Sequence, residues 1–127
     1  GRPLPIRRPP VLIGGTGERR TLRMVAEYAD ACNLFDIPNG EMVIRRQLDT
    51  LKRHCAEIGR PPEEIERTLT TALTPGETAD DLAERCRNLA GLGIEHIVVI
   101  ARGRPWTPTE LDVVVRAAGQ LAKSVQP

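Results

Sequence analysis

Aromatic side chains are almost absent: the 127 residues include one Phe, one Tyr and one Trp. So sparse a set does not build the stacking platform on which single-stranded bases lie, and it leaves the core to aliphatic residues. An excess of charge of one sign is missing as well. Lys and Arg number 18 against 17 Asp and Glu, a formal net charge of +1, whereas binding a phosphate backbone calls for a clustered basic excess. The Arg-rich start (Arg2, Arg7, Arg8) and the pair Arg19-Arg20 are local and solvated. No apolar run approaches the roughly 18 residues of a membrane span, and the N-terminus carries no apolar signal core. Three cysteines, an odd number without C-x-x-C, point to reduced thiols in a cytoplasmic protein rather than to a disulfide framework. Cys55 and Cys86 fall on apolar helical stripes, while Cys32 beside Asn33 is more open to a reactive role. His54 and His96 lie far apart with no Cys or carboxylate at ligand spacing, so no metal site is expected. No Ser/His/Asp set or carboxylate pair stands out, and no catalytic residue can be named.

What is present is a soluble-domain composition, 40% hydrophobic and 28% charged, at the size of one domain. Its most telling stretch is Pro9-Pro-Val-Leu-Ile-Gly-Gly-Thr-Gly-Glu-Arg-Arg-Thr-Leu-Arg23. A short apolar strand (Val11-Leu12-Ile13) runs into the turn Gly14-Gly15-Thr16-Gly17 and straight on into a helix. Glycines there permit positive dihedrals and close approach to the backbone. The free N–H groups and positive dipole end of the following helix favour an anion, most often a phosphate. A tight strand-to-helix turn without a ligand is the other reading. The dinucleotide pattern G-x-G-x-x-G, begun at Gly15 and Gly17, meets Arg20 in place of its third glycine. A P-loop needs Gly-Lys followed by Ser or Thr, and that triplet does not occur.

Strands and helices alternate along the chain. Leu22, Val25, Ala26 and Ala29 recur at helical spacing, and residues 30–35 read as a second short buried strand. The turn Asp36-Ile37-Pro38-Asn39-Gly40 leads to a long helix with the stripe Ile44, Leu48, Leu51, Cys55 and Ile58, ended by Gly59 and by Pro61-Pro62. Residues 65–73 form a Thr-rich strand of uncertain placement. Thr78-Ala-Asp-Asp81 predicts a capped helix with the core face Leu82, Cys86 and Leu89. The run 97–100 is apolar without alternation, the mark of a parallel strand buried on both faces. Thr107-Pro108-Thr109-Glu110 starts a last helix carrying Leu111, Val114, Val115, Ala118, Leu121 and Val125. The predicted class is α/β with right-handed crossovers, and three or four strands make about half of a (β/α)8 barrel.

Together with Val-Ala-Glu-Tyr-Ala-Asp-Ala-Cys-Asn-Leu-Phe, Leu-Lys-Arg-His-Cys-Ala-Glu-Ile-Gly-Arg-Pro-Pro-Glu-Glu-Ile and Ala-Gly-Leu-Gly-Ile-Glu-His-Ile-Val-Val, the glycine stretch resembles the luciferase-like monooxygenase family, in the branch that uses coenzyme F-420. The resemblance implies the C-terminal part of a (β/α)8 TIM barrel over residues 11–127, preceded by an extended connection at 1–10. It implies an F-420-dependent oxidoreductase, with FMN as the alternative cofactor. Carried over, Gly14, Gly15, Thr16 and Gly17 would contact the cofactor phosphate, with Glu18 and Arg19 at the helix start. Asn33 and Phe35 would face the pocket, although strand packing explains Phe35 equally well. The family's first strands, which supply most of the substrate pocket, have no counterpart here. A non-catalytic phosphate-binding or scaffold module therefore stays open as the alternative. An arc of strands with open edges also predicts assembly, as a homo-oligomer or with the missing N-terminal half, around a small-molecule substrate and without nucleic acid or membrane.

Overall fold

A computed structural model describes residues 8–36 and 40–124. Four β/α units follow one another: β1 (Leu12–Gly14), α1 (Thr21–Tyr28), β2 (Ala31–Phe35), α2 (Glu41–Ile58), β3 (Glu66–Ala72), α3 (Ala79–Leu92), β4 (His96–Ile100) and α4 (Pro108–Ser124). A single 3-10 turn, Pro62–Glu64, precedes β3. The four strands form one sheet in chain order, and every neighbouring pair is parallel. The Thr-rich strand of uncertain placement is therefore β3, inside the sheet. A parallel sheet in sequence order with a helix after each strand is the expected α/β architecture and is consistent with part of a (β/α)8 barrel.

Local chemistry sets the helix ends. Gly59 closes α2 in the left-handed region (φ 71°), and Gly93 closes α3 likewise (φ 108°). Thr78 starts α3 with a reciprocal capping box to Asp81. The sequence pattern ran the glycine loop straight into a helix, but residues 18–20 form a turn and α1 begins at Thr21. Arg20 is its N-cap in αR conformation, with no side-chain cap.

Side chains alternate across the sheet, so each strand has a covered and an uncovered face. On the covered face Leu34 and Leu69 are almost fully buried against Leu22 of α1 and Ile44 and Leu48 of α2, and Cys32 against Val25 of α1 and Leu51 and Cys55 of α2. Between α3 and α4 a smaller cluster joins Leu82, Ala83, Cys86 and Ala117. Burial at this level contributes about 1.5–3 kcal/mol per large aliphatic side chain.

The opposite face carries Leu12, Phe35, Val98 and Ile100 and is open, with exposures of 54, 47, 40 and 37%. Two expectations are corrected here. Strand β4 alternates between half-buried and exposed instead of being buried on both faces, because only one of its faces meets helices. Ile58, placed on the core stripe by its spacing, is exposed at the last turn of α2. Most of the proposed connection 1–10, the turn residues 37–39 and Val125 lie outside the described residues.

Candidate functional site

The carboxyl ends of the four strands gather the loops, since parallel strands all point the same way. Gly14, the last residue of β1, pairs in register with Asn33 of β2, and the Gly15 N–H donates to the Asn33 carbonyl at 3.2 Å. The glycine loop and Asn33, widely separated in sequence, are thus neighbours. The Asn33 side chain lies on the open face, where its Nδ2 donates to Thr70 Oγ1 (3.0 Å) and its Oδ1 accepts from Thr68 Oγ1 (2.9 Å). Phe35 lies on the same face one pleat further along, half exposed.

The loop's backbone is shaped by two of its glycines. Gly15 has φ 126°, a conformation that a side chain resists. A Cβ at Gly15 would stand 3.0 Å from Thr21 Cγ2, and one at Gly17 would stand 3.0 Å from Thr21 Oγ1. Gly14 differs: a Cβ there would meet nothing within 4 Å. Among the described residues, the N–H groups of Thr16, Gly17, Glu18 and Arg19 make no hydrogen bond. The first turn of α1 also contains no acidic residue. Four unspent donors, an uncapped helix start and open space above Gly14 fit a phosphate group.

Glu18 turns away from that space. Its carboxylate takes Arg46 Nε of α2 at 2.6 Å, and its carbonyl accepts from His54 Nε2 at 2.8 Å. Arg19 stays exposed beside it. Sequence reasoning missed Thr21, Arg46, His54, Thr68 and Thr70. The one signal was the i, i+4 polar row Arg46, Thr50, His54 along the apolar stripe of α2, which does not say which loop the row reaches.

At the same end of the sheet a second polar cluster closes on itself. Arg85 of α3 binds Glu77 through Nε (2.9 Å) and Nη2 (2.8 Å), Asp36 through Nη1 (2.8 Å), and the Ala72 carbonyl through Nη2 (3.1 Å). Thr71 Oγ1 also contacts its Nη1. Burial pushes the Glu77 carboxyl up, but Arg85 and the Thr74 donors outweigh it and hold it below the ordinary range. A groove of about 490 Å³ runs past this cluster, lined by Ile44, Leu73, Leu89 and Arg102 among others. Its acids are already paired, Asp36 with Arg85 and Glu41 with Arg45, so among the described residues it presents no free carboxylate.

The chain matches the luciferase-like monooxygenase family over residues 1–121. It belongs to that family. No match is found among curated proteins. Members of this family are oxidoreductases that use flavin or F-420. All three cysteines of this luciferase-like chain are buried, and burial raises each thiol, so Cys32 is packing rather than a nucleophile. Among the described residues no cluster of His, Cys, Asp or Glu could hold a metal, and no helix is long and apolar enough to cross a membrane.

Proposed function

We propose that this chain supplies the cofactor-phosphate loop of an F-420-dependent oxidoreductase of the luciferase-like family, with FMN as the alternative cofactor. The carrying observation is the set of unspent N–H donors at Thr16, Gly17, Glu18 and Arg19 over an uncapped helix start. These donors and the dipole end of α1 would hold the phosphate, and Arg19 would add screened positive charge. Gly14, with its empty Cβ position, would let the cofactor approach the strand end. Asn33, fixed by Thr68 and Thr70, would present its amide to the ligand beside the loop. The bound cofactor supplies the hydride or oxygen chemistry, while the protein binds, orients and excludes water. The open face with Leu12, Phe35, Val98 and Ile100 would be closed by further β/α strands, completing a barrel around a small-molecule substrate.

Gel filtration after mixing with F-420 or FMN tests the reading, with Gly14→Val compared against the parent. Gly14 has no positive φ and an open Cβ position, so the variant should fold and lose at least about tenfold in cofactor affinity. Gly15→Val is the poorer test, because it also strains φ 126° and presses on Thr21. Unchanged affinity in folded Gly14→Val would show that the turn is structural only. Retention of cofactor without hydride transfer would favour the non-catalytic module.

A further inference from the structure

The glycine loop is held from outside by α2, and that hold determines where its donors point. His54 is the key contact. Its Nε2 lies 2.8 Å from the Glu18 carbonyl oxygen, which can only accept, so Nε2 carries the proton. Its Nδ1 is buried and makes no hydrogen bond, with the Glu57 carboxylate 3.7 Å away. The imidazole is only 14% exposed and therefore fixed in place. Arg46, two helical turns earlier on α2, binds the carboxylate of the same Glu18 at 2.6 Å.

No peptide bond among the described residues is cis. In a trans peptide the carbonyl of one residue and the N–H of the next point in opposite directions. Drawing the Glu18 carbonyl toward α2 therefore turns the Arg19 N–H away from α2. The Gly17 carbonyl is fixed in the same manner by the Leu22 N–H at 2.9 Å, which sets the Glu18 N–H. Two successive peptide planes are thus locked through their acceptors while their donors stay unspent.

We propose that His54 is a positioning residue for anion binding: through the Glu18 carbonyl it preorganises the backbone donors of the loop after β1. The inference rests on the phosphate-loop reading above. A preorganised donor set binds more tightly because less ordering is left to do when the ligand arrives. His54 itself touches no ligand.

The test separates positioning from general support by using ligands with and without the phosphate. Affinities of the full chain for FMN and riboflavin, and for F-420 and its phosphate-free deazaflavin core, are measured by fluorescence titration. The parent is expected to prefer the phosphate-bearing member of each pair. In His54→Leu that preference should fall about tenfold, the loss of roughly one hydrogen bond to a charged group, with riboflavin affinity unchanged. His54→Gln, whose side-chain N–H can still reach the Glu18 carbonyl, should recover most of it. If His54→Leu does not fold, His54→Asn, which is too short to make the contact, takes its place. An unchanged preference in folded His54→Leu, or an equal loss for both ligands, would overturn the proposal. A parent that binds riboflavin as tightly as FMN, and the deazaflavin core as tightly as F-420, would overturn the phosphate-loop reading and the His54 inference with it.

Discussion

Helices α1 and α3 both start at the carboxyl end of the sheet, and they start in opposite ways. The approach to α3 is complete within the chain. Thr78 and Asp81 cap each other's backbone, Asp80 and Asp81 sit in the first turn, and Glu77 is held by Thr74 and Arg85. The approach to α1 has no side-chain cap, no acid in its first turn and, among the described residues, N–H groups from Thr16 to Arg20 that make no hydrogen bond. Orphan donors at a helix start are normally satisfied by a cap, by water or by a ligand. Where one loop meets that need from its own side chains and its neighbour does not, the neighbour is the better candidate for a ligand from outside.

The largest test removes the closed loop's anchor. Arg85→Met leaves Glu77, with a side chain only 7% exposed, facing no cation, and Asp36 loses the same partner. The expected cost is about 2–3 kcal/mol in urea unfolding at neutral pH, because the guanidinium is itself partly exposed. The pH dependence carries a sign. In the parent the folded Glu77 carboxyl lies below its ordinary range, so its contribution is full above that range and is lost as pH falls through the folded value. Without Arg85 the burial that pushes Glu77 up is opposed only by Thr74, so protonation no longer costs the variant this contribution. The gap between parent and variant should therefore narrow in mild acid. A gap that stays constant would mean that Arg85 acts through packing rather than charge.

A smaller effect contrasts the two loops directly. Thr78→Ala removes the cap of α3 and should cost about 1 kcal/mol. Thr16→Ala, at the loop before α1, removes no hydrogen bond among the described residues and should be nearly neutral in the absence of ligand. Thermal unfolding of the pair reads the difference. A cost at Thr16 matching that at Thr78 would erase the distinction between the loops.

Much of the fold could be read from the sequence because its signals are local. Apolar periodicity marked the helices, Gly59 and the Pro61-Pro62 pair ended α2, and the Thr78–Asp81 box started α3. The glycine loop was visible for the same reason, being a run of one residue type between a strand and a helix. Exposure was not readable from composition. The run 97–100 reads as buried on both faces, but what decides its burial is whether anything packs on the second face, and that is a property of the whole sheet. The long-range contacts of the site were hidden as well. His54 reaches Glu18 across 36 residues and Arg85 reaches Asp36 across 49, pairings that only the packing of α2 and α3 brings about.

A small, stabilising change at the start of α1 is the sharpest for the comparison, because its two readouts should move in opposite directions. Arg20 is the exposed N-cap of α1 and places a positive charge at the positive end of the helix dipole. Arg20→Asp puts a carboxylate there instead. In ligand-free protein it should raise stability by about 0.3–1 kcal/mol, less at high salt, because the dipole favours an anion at this end. The same carboxylate should repel a cofactor phosphate and weaken F-420 or FMN, while leaving the phosphate-free core or riboflavin nearly unaffected. Chemical denaturation without ligand and titration with the paired ligands measure the two effects on one variant. If stability rises while phosphate-bearing and phosphate-free ligands respond alike, the start of α1 is merely an uncapped helix and the contrast with α3 has no bearing on binding.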